Sequence, residues 1–360
     1  MYRINVISSS YKFKGQGVQS AFRSHIKLLD LMSDQYMYEI NNRQDRFDII
    51  HIHTPDVPHF YHAFRHHRHS LLVMSAHVVP DSVLGTLILA PIWYPVFSKY
   101  LISLYNYCDL VIAVSQNVRQ ELMEAGVQEE KIKIIPNYIF RNDYQMKVDA
   151  EQKKALRRKY GIPEDAFVAV GAGQVQPRKG IDAFLQVANR MKDENAFFVW
   201  CGHISFKGYT SHYAKMKRTM ENSPSNVFFP GLIPDEKIKE YYALSDVFFF
   251  PSRQETFGLV VPEAGGSGIP IVLRDLEVYR AIFKENFLKA ADVDGFVHQL
   301  RALKNDPALY SKYAKRSSEL FEEYVEDSRI EMYDRLYQEG YVKKFGTVKK
   351  LHEQRNPRSS

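Results

Sequence analysis

The sequence predicts an α/β protein made of two doubly wound parallel sheets, and three observations lead there. Short apolar runs recur between longer segments of helical character, as in strands buried on both faces beneath a layer of helices. The alternation pauses before residue 150 and then restarts. The length, 360 residues, is more than one core needs and suits two domains of roughly 150–200 residues each.

In the amino-terminal half, strands are expected at Ile4–Ser8, Phe47–Ile52, Leu71–Ser75 and Leu110–Val114, with helices at Gln19–Leu31 and Gln116–Ala125. Lys131-Ile-Lys-Ile-Ile-Pro-Asn137 adds a short strand, and Tyr138–Asp149 reads as a linker. The pattern resumes with strands at Phe167–Gly171, Ala196–Cys201, Val227–Phe229, Val247–Phe250 and Ile269–Leu273. Helices are expected between them at Ile181–Met191, Tyr209–Glu221 and Asp235–Leu244, and after them at Val293–Leu303. Tyr310 to about Tyr341 is helical in character. The resulting divisions are a first domain over 1–145, a second over 146–325, a closing helix over 326–345 that can pack back on the first domain, and a flexible basic tail over 346–360.

With 45% hydrophobic and 25% charged residues, the composition is that of an ordinary folded protein, free of repeats and low-complexity tracts. The two cysteines, Cys108 and Cys201, lie in apolar surroundings without metal-ligand spacing, so a disulfide or zinc framework is not expected. That cysteine usage makes the reducing cytoplasm the expected setting, and Met1-Tyr-Arg-Ile-Asn-Val-Ile-Ser8, which enters a strand directly and lacks the apolar core of a signal peptide, carries no expected export signal. A net charge of +6 calls for an anionic partner, a nucleotide or a membrane surface. Nucleic acid is not expected, because no zinc finger, RNP-like aromatic strand or long basic helix is present.

The most informative motif is Pro251-Ser-Arg-Gln-Glu255-Thr-Phe-Gly-Leu-Val-Val-Pro-Glu263, directly after the strand Val247–Phe250. It sets a carboxylate at the carboxyl end of a parallel strand, where open α/β sheets bind ligands. The backbone N–H groups of Thr256, Phe257 and Gly258 can face an anion or a sugar hydroxyl. An isolated pair of acids at this spacing is more often a solvated loop and a helix start. This pair has a companion in Gly171-Ala-Gly173-Gln-Val-Gln-Pro-Arg-Lys-Gly180, a glycine-rich strand exit whose Arg178 and Lys179 can neutralise a diphosphate.

Taken in order with Gly15-Gln-Gly17-Val18, Asp48-Ile-Ile-His-Ile-His53, Ala113-Val-Ser115 and Ile135-Pro-Asn137, these segments resemble the retaining glycosyltransferases of family GT4 along nearly the whole chain. The resemblance implies the GT-B fold, two facing Rossmann-like domains with an inter-domain cleft. It also implies that Glu255 holds hydroxyls of the donor sugar, that Glu263 holds the nucleotide ribose, and that Lys179 with Arg178 stabilises the departing nucleoside diphosphate. Gly15 and Gly17 match the family's first loop near the diphosphate, and Gly173 belongs to the donor-binding strand exit. His77, in Ser75-Ala-His77-Val-Val-Pro-Asp81, matches the histidine that meets the donor sugar at the reaction centre. The implied chemistry needs no metal and no cofactor, the UDP-sugar being the donor substrate, and runs as a same-face displacement assisted by the leaving phosphate. The chain departs from the family at Gln174, where many members carry arginine; Arg178 can supply that charge.

The acceptor is read from the first domain. Between Val57 and Pro80 no acidic residue occurs, while Arg65 and Arg68 are joined by His59, His62, His66, His67, His69 and His77, which suggests a basic, pH-sensitive face. Ser82–Ser98 is uncharged and contains Trp93, Tyr94 and Phe97, with Lys99, Tyr100 and Tyr105 following. This suits a surface that meets anionic lipid headgroups and inserts apolar side chains. At 17 residues, with Pro91 and Pro95 inside it, the run is short of the ~20 needed to span a bilayer. The alternative is a buried helix pair with a histidine-rich surface loop. His51-Ile-His53 also admits metal binding, but no carboxylate or cysteine pattern supports it.

Pro80-Asp-Ser-Val-Leu-Gly-Thr86 and Gly173–Gly180 are most similar to bacterial diacylglycerol glycolipid synthases. The expectation is therefore a peripheral enzyme at the inner face of the cell membrane, moving glucose or galactose from UDP-glucose or UDP-galactose to a diacylglycerol glycolipid acceptor, with the anionic membrane surface as partner. Two alternatives are a transferase of capsule, teichoic-acid or other surface polysaccharide synthesis and a catalytically silent sugar-nucleotide-binding subunit.

Overall fold

The computed structural model describes residues 1–9, 17–78, 90–204 and 213–347. The chain forms two compact units, Met1–Pro136 with Glu326–Ser360, and Asn137–Val325.

The first unit runs β1 (Tyr2–Ile7), α1 (Gly17–Leu31), β2 (Tyr36–Ile40), β3 (Ile49–Ile52), α2 (Val57–His66), β4 (Leu71–Ser75), α3 (Ala90–Tyr107), β5 (Leu110–Ala113), α4 (Gln116–Glu124) and β6 (Ile132–Ile134). Among the described residues its sheet has the order β2-β1-β3-β4-β5-β6, every neighbouring pair parallel. β3, β4 and β5 are buried at every position, which is why their sequences read as continuous apolar runs and not as alternating ones. β2 is an edge strand with only Tyr36 buried, so it carries little of that signal.

The second unit contains α5 (Arg141–Tyr144), α6 (Ala150–Tyr160), β7 (Phe167–Ala172), α7 (Ile181–Arg190), β8 (Ala196–Cys201), α8 (Tyr213–Glu221), β9 (Val227–Gly231), α9 (Ile238–Ala243), β10 (Val247–Phe250), α10 (Val260–Gly265), β11 (Ile271–Arg274), α11 (Glu277–Phe283), β12 (Leu288–Ala290), α12 (Val293–Asn305) and α13 (Pro307–Tyr324). The described sheet is again parallel, in the order β9-β8-β7-β10-β11-β12. Strand order therefore reverses between β7 and β10, a crevice that open α/β sheets use for ligands. Phe184, Phe249 and Trp200 fill the space beneath it, with Phe184 stacked on Phe249 at 5.3 Å and edge-on to Trp200 at 5.0 Å.

Tyr138–Asp149 is not a linker. Tyr138, Ile139 and Phe140 are buried, Ile139 bridges to Val325, and α5 follows at once. Three consecutive large apolar side chains lose too much by staying in water to serve as a free connection. Asp149 instead caps α6: it accepts from the Gln152 N–H while the Gln152 side chain accepts from the Asp149 N–H, a reciprocal capping box.

The closing helix α14 (Asp327–Phe345) belongs to the first unit. It comes close to the sheet at Gly340, where an added Cβ would meet Leu110 at 2.6 Å and Leu71 at 3.1 Å. Lys344 fixes its end, pairing with Asp109 at 2.6 Å and donating to the Ser70 carbonyl at 2.9 Å.

Candidate functional site

The loops after β7 and β10 are joined through backbone groups. The Arg253 N–H donates to the Arg178 carbonyl at 2.7 Å, and the Arg253 side chain donates to the Pro177 carbonyl at 2.9 Å and to both Asp182 oxygens at 2.7 Å. Gly180 makes this closeness possible: its φ is +74°, and a Cβ there would lie 2.2 Å from the Pro251 carbonyl oxygen. The tight turn Pro177–Lys179 thereby sets Arg178 and Lys179 beside the carboxyl end of β10.

There the Lys179 ammonium pairs with the Glu255 carboxylate, and both side chains are nearly buried. Ser252 Oγ donates to the same carboxylate oxygen at 2.8 Å, and the ammonium lies 5.3 Å from the Phe250 ring centroid. Burial pulls the Lys179 pKa below its ordinary value, with the Glu255 charge opposing and the Arg178 charge reinforcing the shift. Arg178 donates to Gln176 Oε1 at 3.0 Å, and Gln176 in turn donates to the Gln174 side chain. Gln174 is thus linked to Arg178 through one intervening amide. Gly173 bends the strand exit, its carbonyl held by Trp200 Nε1 at 2.9 Å.

Glu263 lies in the first turn of α10 but is buried there, 8% exposed, and not solvated. Tyr242 donates to it at 3.2 Å, and Tyr144 supplies a second hydrogen bond. Burial pushes its carboxyl up to about 7; the two tyrosine hydroxyls oppose that rise, while Asp235 and Asp143 add to it. Thr256 is exposed. Phe257 turns its ring into the core, edge-on to Tyr324 at 5.4 Å and Phe283 at 5.8 Å, which leaves its backbone as the part available to a ligand. Gly258 follows at a φ of +90°, and a Cβ there would meet the Tyr279 ring at 3.2 Å.

In the first unit, His77 follows β4 and accepts or donates at Nε2 across 3.0 Å to His53 Nδ1. Burial brings its imidazole down to about 4, so it is neutral at physiological pH. Gly17 opens α1, whereas Gly15 lies outside the described residues, as does Pro80-Asp-Ser-Val-Leu-Gly-Thr86.

The expected basic histidine face is corrected by the structure. His59, His62 and His66 are buried on the inner side of α2, and burial brings His62 down to about 4 and lowers His66. Their three- and four-residue spacing puts them on one face of the helix, and that face turns inward. The outward face carries Val57, Tyr61 and Phe64, each more than 60% exposed, with Arg65 and Arg68 also exposed.

Sequence reasoning missed Ser252, Tyr144 and Tyr242, the groups that hold the two glutamates, and His25 and Tyr337, which join His51 and His53 in the first unit. Ser252 belongs to the segment Pro251–Glu263, so its place beside Glu255 is within reach of the sequence. The tyrosines are brought in only by tertiary folding.

Among the described residues, the two parallel six-stranded doubly wound sheets are the Rossmann-like halves of the GT-B fold, and the cation–carboxylate pair sits at the strand-order reversal of the second. A family model described as Glycosyl transferases group 1 matches residues 152–320, and one described as Glycosyltransferase Family 4 matches residues 17–140. The alpha-galactosylglucosyldiacylglycerol synthase of Streptococcus pneumoniae is 32% identical over 93% of this chain and 89% of its own length. The processive diacylglycerol alpha-glucosyltransferase of Acholeplasma laidlawii is 27% identical over 77% of this chain and 80% of its own. HepE of Anabaena, solved in complex with UDP and glucose, shares the fold at a TM-score of 0.77, with 17% identity over 93% of this chain and 99% of that one. The chain belongs to glycosyltransferase family 4.

Proposed function

We propose that this protein is a retaining hexosyltransferase that moves glucose or galactose from UDP-glucose or UDP-galactose to a diacylglycerol-based glycolipid, foremost a monoglycosyl-diacylglycerol, at a membrane surface. The observation that carries the reading is the Lys179–Glu255 pair at the reversal of strand order, with Arg178 beside it. A diphosphate attracts Lys179 away from Glu255, and the carboxylate so released accepts hydroxyls of the donor sugar. Glu263 takes the ribose hydroxyls, and His77 keeps the sugar-contacting role that its motif implies.

The bond between the sugar's anomeric carbon and the β-phosphate oxygen breaks as the acceptor oxygen attacks from the same face. The acceptor's proton passes to the departing phosphate oxygen, and Lys179 and Arg178 stabilise the charge that develops there. The two cations Lys179 and Arg178 supply the charge compensation that a divalent metal supplies elsewhere, so transfer is expected to be metal-independent.

The lipid acceptor is supported by the two curated relatives, whose names specify galactosylglucosyldiacylglycerol and diacylglycerol, and by the outward face of α2. Val57, Tyr61 and Phe64 recur at helical spacing beside Arg65 and Arg68, the pattern of an interfacial helix that inserts apolar groups below a layer of cations. Among the described residues, no helix is long and apolar enough to cross a membrane.

Incubating the purified full-length protein with liposomes and each labelled UDP-sugar tests the proposal. An α-linked lipid product, unchanged in yield by EDTA, is expected from one of the two donors. No lipid-linked product from diacylglycerol or its monoglycoside overturns the acceptor assignment; activity on a polysaccharide primer alone would favour the surface-polymer alternative. The double variant Tyr61→Ser/Phe64→Ser is expected to bind anionic vesicles about tenfold more weakly, the equivalent of ~1.4 kcal/mol of lost insertion. Its melting temperature should fall only slightly, because both side chains are largely exposed and the packing lost is the stack of Phe64 on Tyr107 at 5.8 Å.

A further inference from the structure

The first unit contains a polar file that the transfer reaction leaves unexplained. Ser75 Oγ lies 2.8 Å from His51 Nε2; His51 Nδ1 lies 2.7 Å from the Tyr337 hydroxyl; that hydroxyl lies 2.7 Å from His25 Nε2. His25 Nδ1 then meets His53 Nε2 at 2.9 Å, and His53 Nδ1 meets His77 Nε2 at 3.0 Å. Both nitrogens of His25, His51 and His53 are therefore engaged. These three rings come close enough to ligate a cation, but doing so would break bonds that the file already makes.

A neutral imidazole has one donor and one acceptor, so the proton position on each ring dictates that on the next. Burial keeps the rings neutral: it brings His25 down to about 3 and His51 and His53 well below their ordinary value. The Tyr337 hydroxyl is fully buried and has one proton, and giving that proton to His25 or to His51 leaves two arrangements in which it is used. If Ser75 donates, every bond points toward His77, which then receives at Nε2 and carries its proton on Nδ1. If His77 donates from Nε2, every bond points toward Ser75, and His77 Nδ1 is a bare acceptor. The file also has little freedom to tilt, since Tyr333 stacks on His25 at 5.0 Å and Phe22 stands edge-on to His53 at 5.5 Å.

We propose that this file positions His77: His25, His51, His53 and Tyr337 lock it in one tautomer and one ring orientation, and so decide which hydrogen-bonding atom it turns to the donor sugar. The proposal rests on the reading that His77 meets that sugar. It also gives α14 a task beyond packing, because the helix delivers the hydroxyl that joins the two halves of the file.

The test is nitrogen-15 NMR of histidine-labelled full-length protein, together with steady-state kinetics using the UDP-sugar selected by the liposome assay and vesicles containing monoglycosyl-diacylglycerol. The wild-type His77 is expected to be a single neutral tautomer. Tyr337→Phe keeps the ring and cuts the file, so His77 should become a tautomer mixture, with kcat falling about 10–100-fold and KM for the UDP-sugar little changed. Ser75→Ala removes the terminal hydroxyl and should act in the same direction; it decides the matter if Tyr337→Phe does not fold. Tyr36→Phe is the control, since it removes a buried hydroxyl bonded to Asp334 on the same helix but outside the file, and should leave the His77 tautomer and kcat unchanged. A single His77 tautomer with wild-type kcat in both file variants overturns the proposal, as does a tautomer mixture without loss of kcat. A His77→Ala protein with wild-type kcat overturns instead the reading of His77 on which the proposal rests.

Discussion

Lys179→Ala is expected to lower sugar transfer by about 10²–10³-fold, the usual consequence of deleting one preorganised group that stabilises a departing anion in a water-poor site. A second loss is expected in the folded state. With its side chain only 8% exposed, Glu255 would keep the Ser252 hydrogen bond but lose its counter-charge, and stranding one member of a buried pair typically costs about 3–5 kcal/mol. Denaturant titration and single-turnover rates separate the two effects. The double variant Lys179→Met/Glu255→Met removes both charges together and should recover much of the stability, because an apolar pair of similar volume is tolerated where a lone ion is not. It should remain inactive. A Lys179→Ala protein with wild-type kcat would show that the pair is structural and that the leaving phosphate is stabilised elsewhere.

The convergence of Arg178, Lys179 and Glu255 was legible because each of them is placed locally. The strand Val247–Phe250, the loop with Glu255 and the turn with Arg178 and Lys179 each lie in one short segment, and the topology of a doubly wound sheet brings such segments to the same strand ends. What supports them was not legible. Tyr144 and Tyr242 reach Glu263 through folding alone, and Tyr337 meets His25 and His51 across some three hundred residues of sequence. The α2 histidines were misread for another reason. Composition gives them as basic, whereas their helical spacing, available in the sequence, already places His59, His62 and His66 on one side, opposite Tyr61 and Phe64. β2 and β12 escaped notice because short edge strands lack a long apolar run, and α6 because its signal is a capping box and not an apolar stripe.

Glu263 should make both folding and donor binding depend on pH, in opposite directions. Its carboxyl titrates near 7 in the folded protein against 4.5 when unperturbed, so the folded state holds the proton more tightly. The stabilisation this provides is complete below about pH 4.5, declines as pH rises and is gone above about pH 7, a span worth about 3 kcal/mol at 1.36 kcal/mol per unit. Glu263→Gln removes the titration, so its stability relative to the wild type should improve between pH 5 and pH 8. Donor binding runs the other way. A carboxylate accepts two ribose hydroxyls, whereas the protonated acid has lost part of that capacity, so binding favours the ionised form. Calorimetric titration with UDP near pH 6 should therefore release a proton, and affinity should fall about tenfold for each unit below the carboxyl's pKa. A UDP affinity that is flat from pH 5.5 to 8, without proton release, would assign the ribose contact to some other group and leave Glu263 as a buried acid held by Tyr144 and Tyr242.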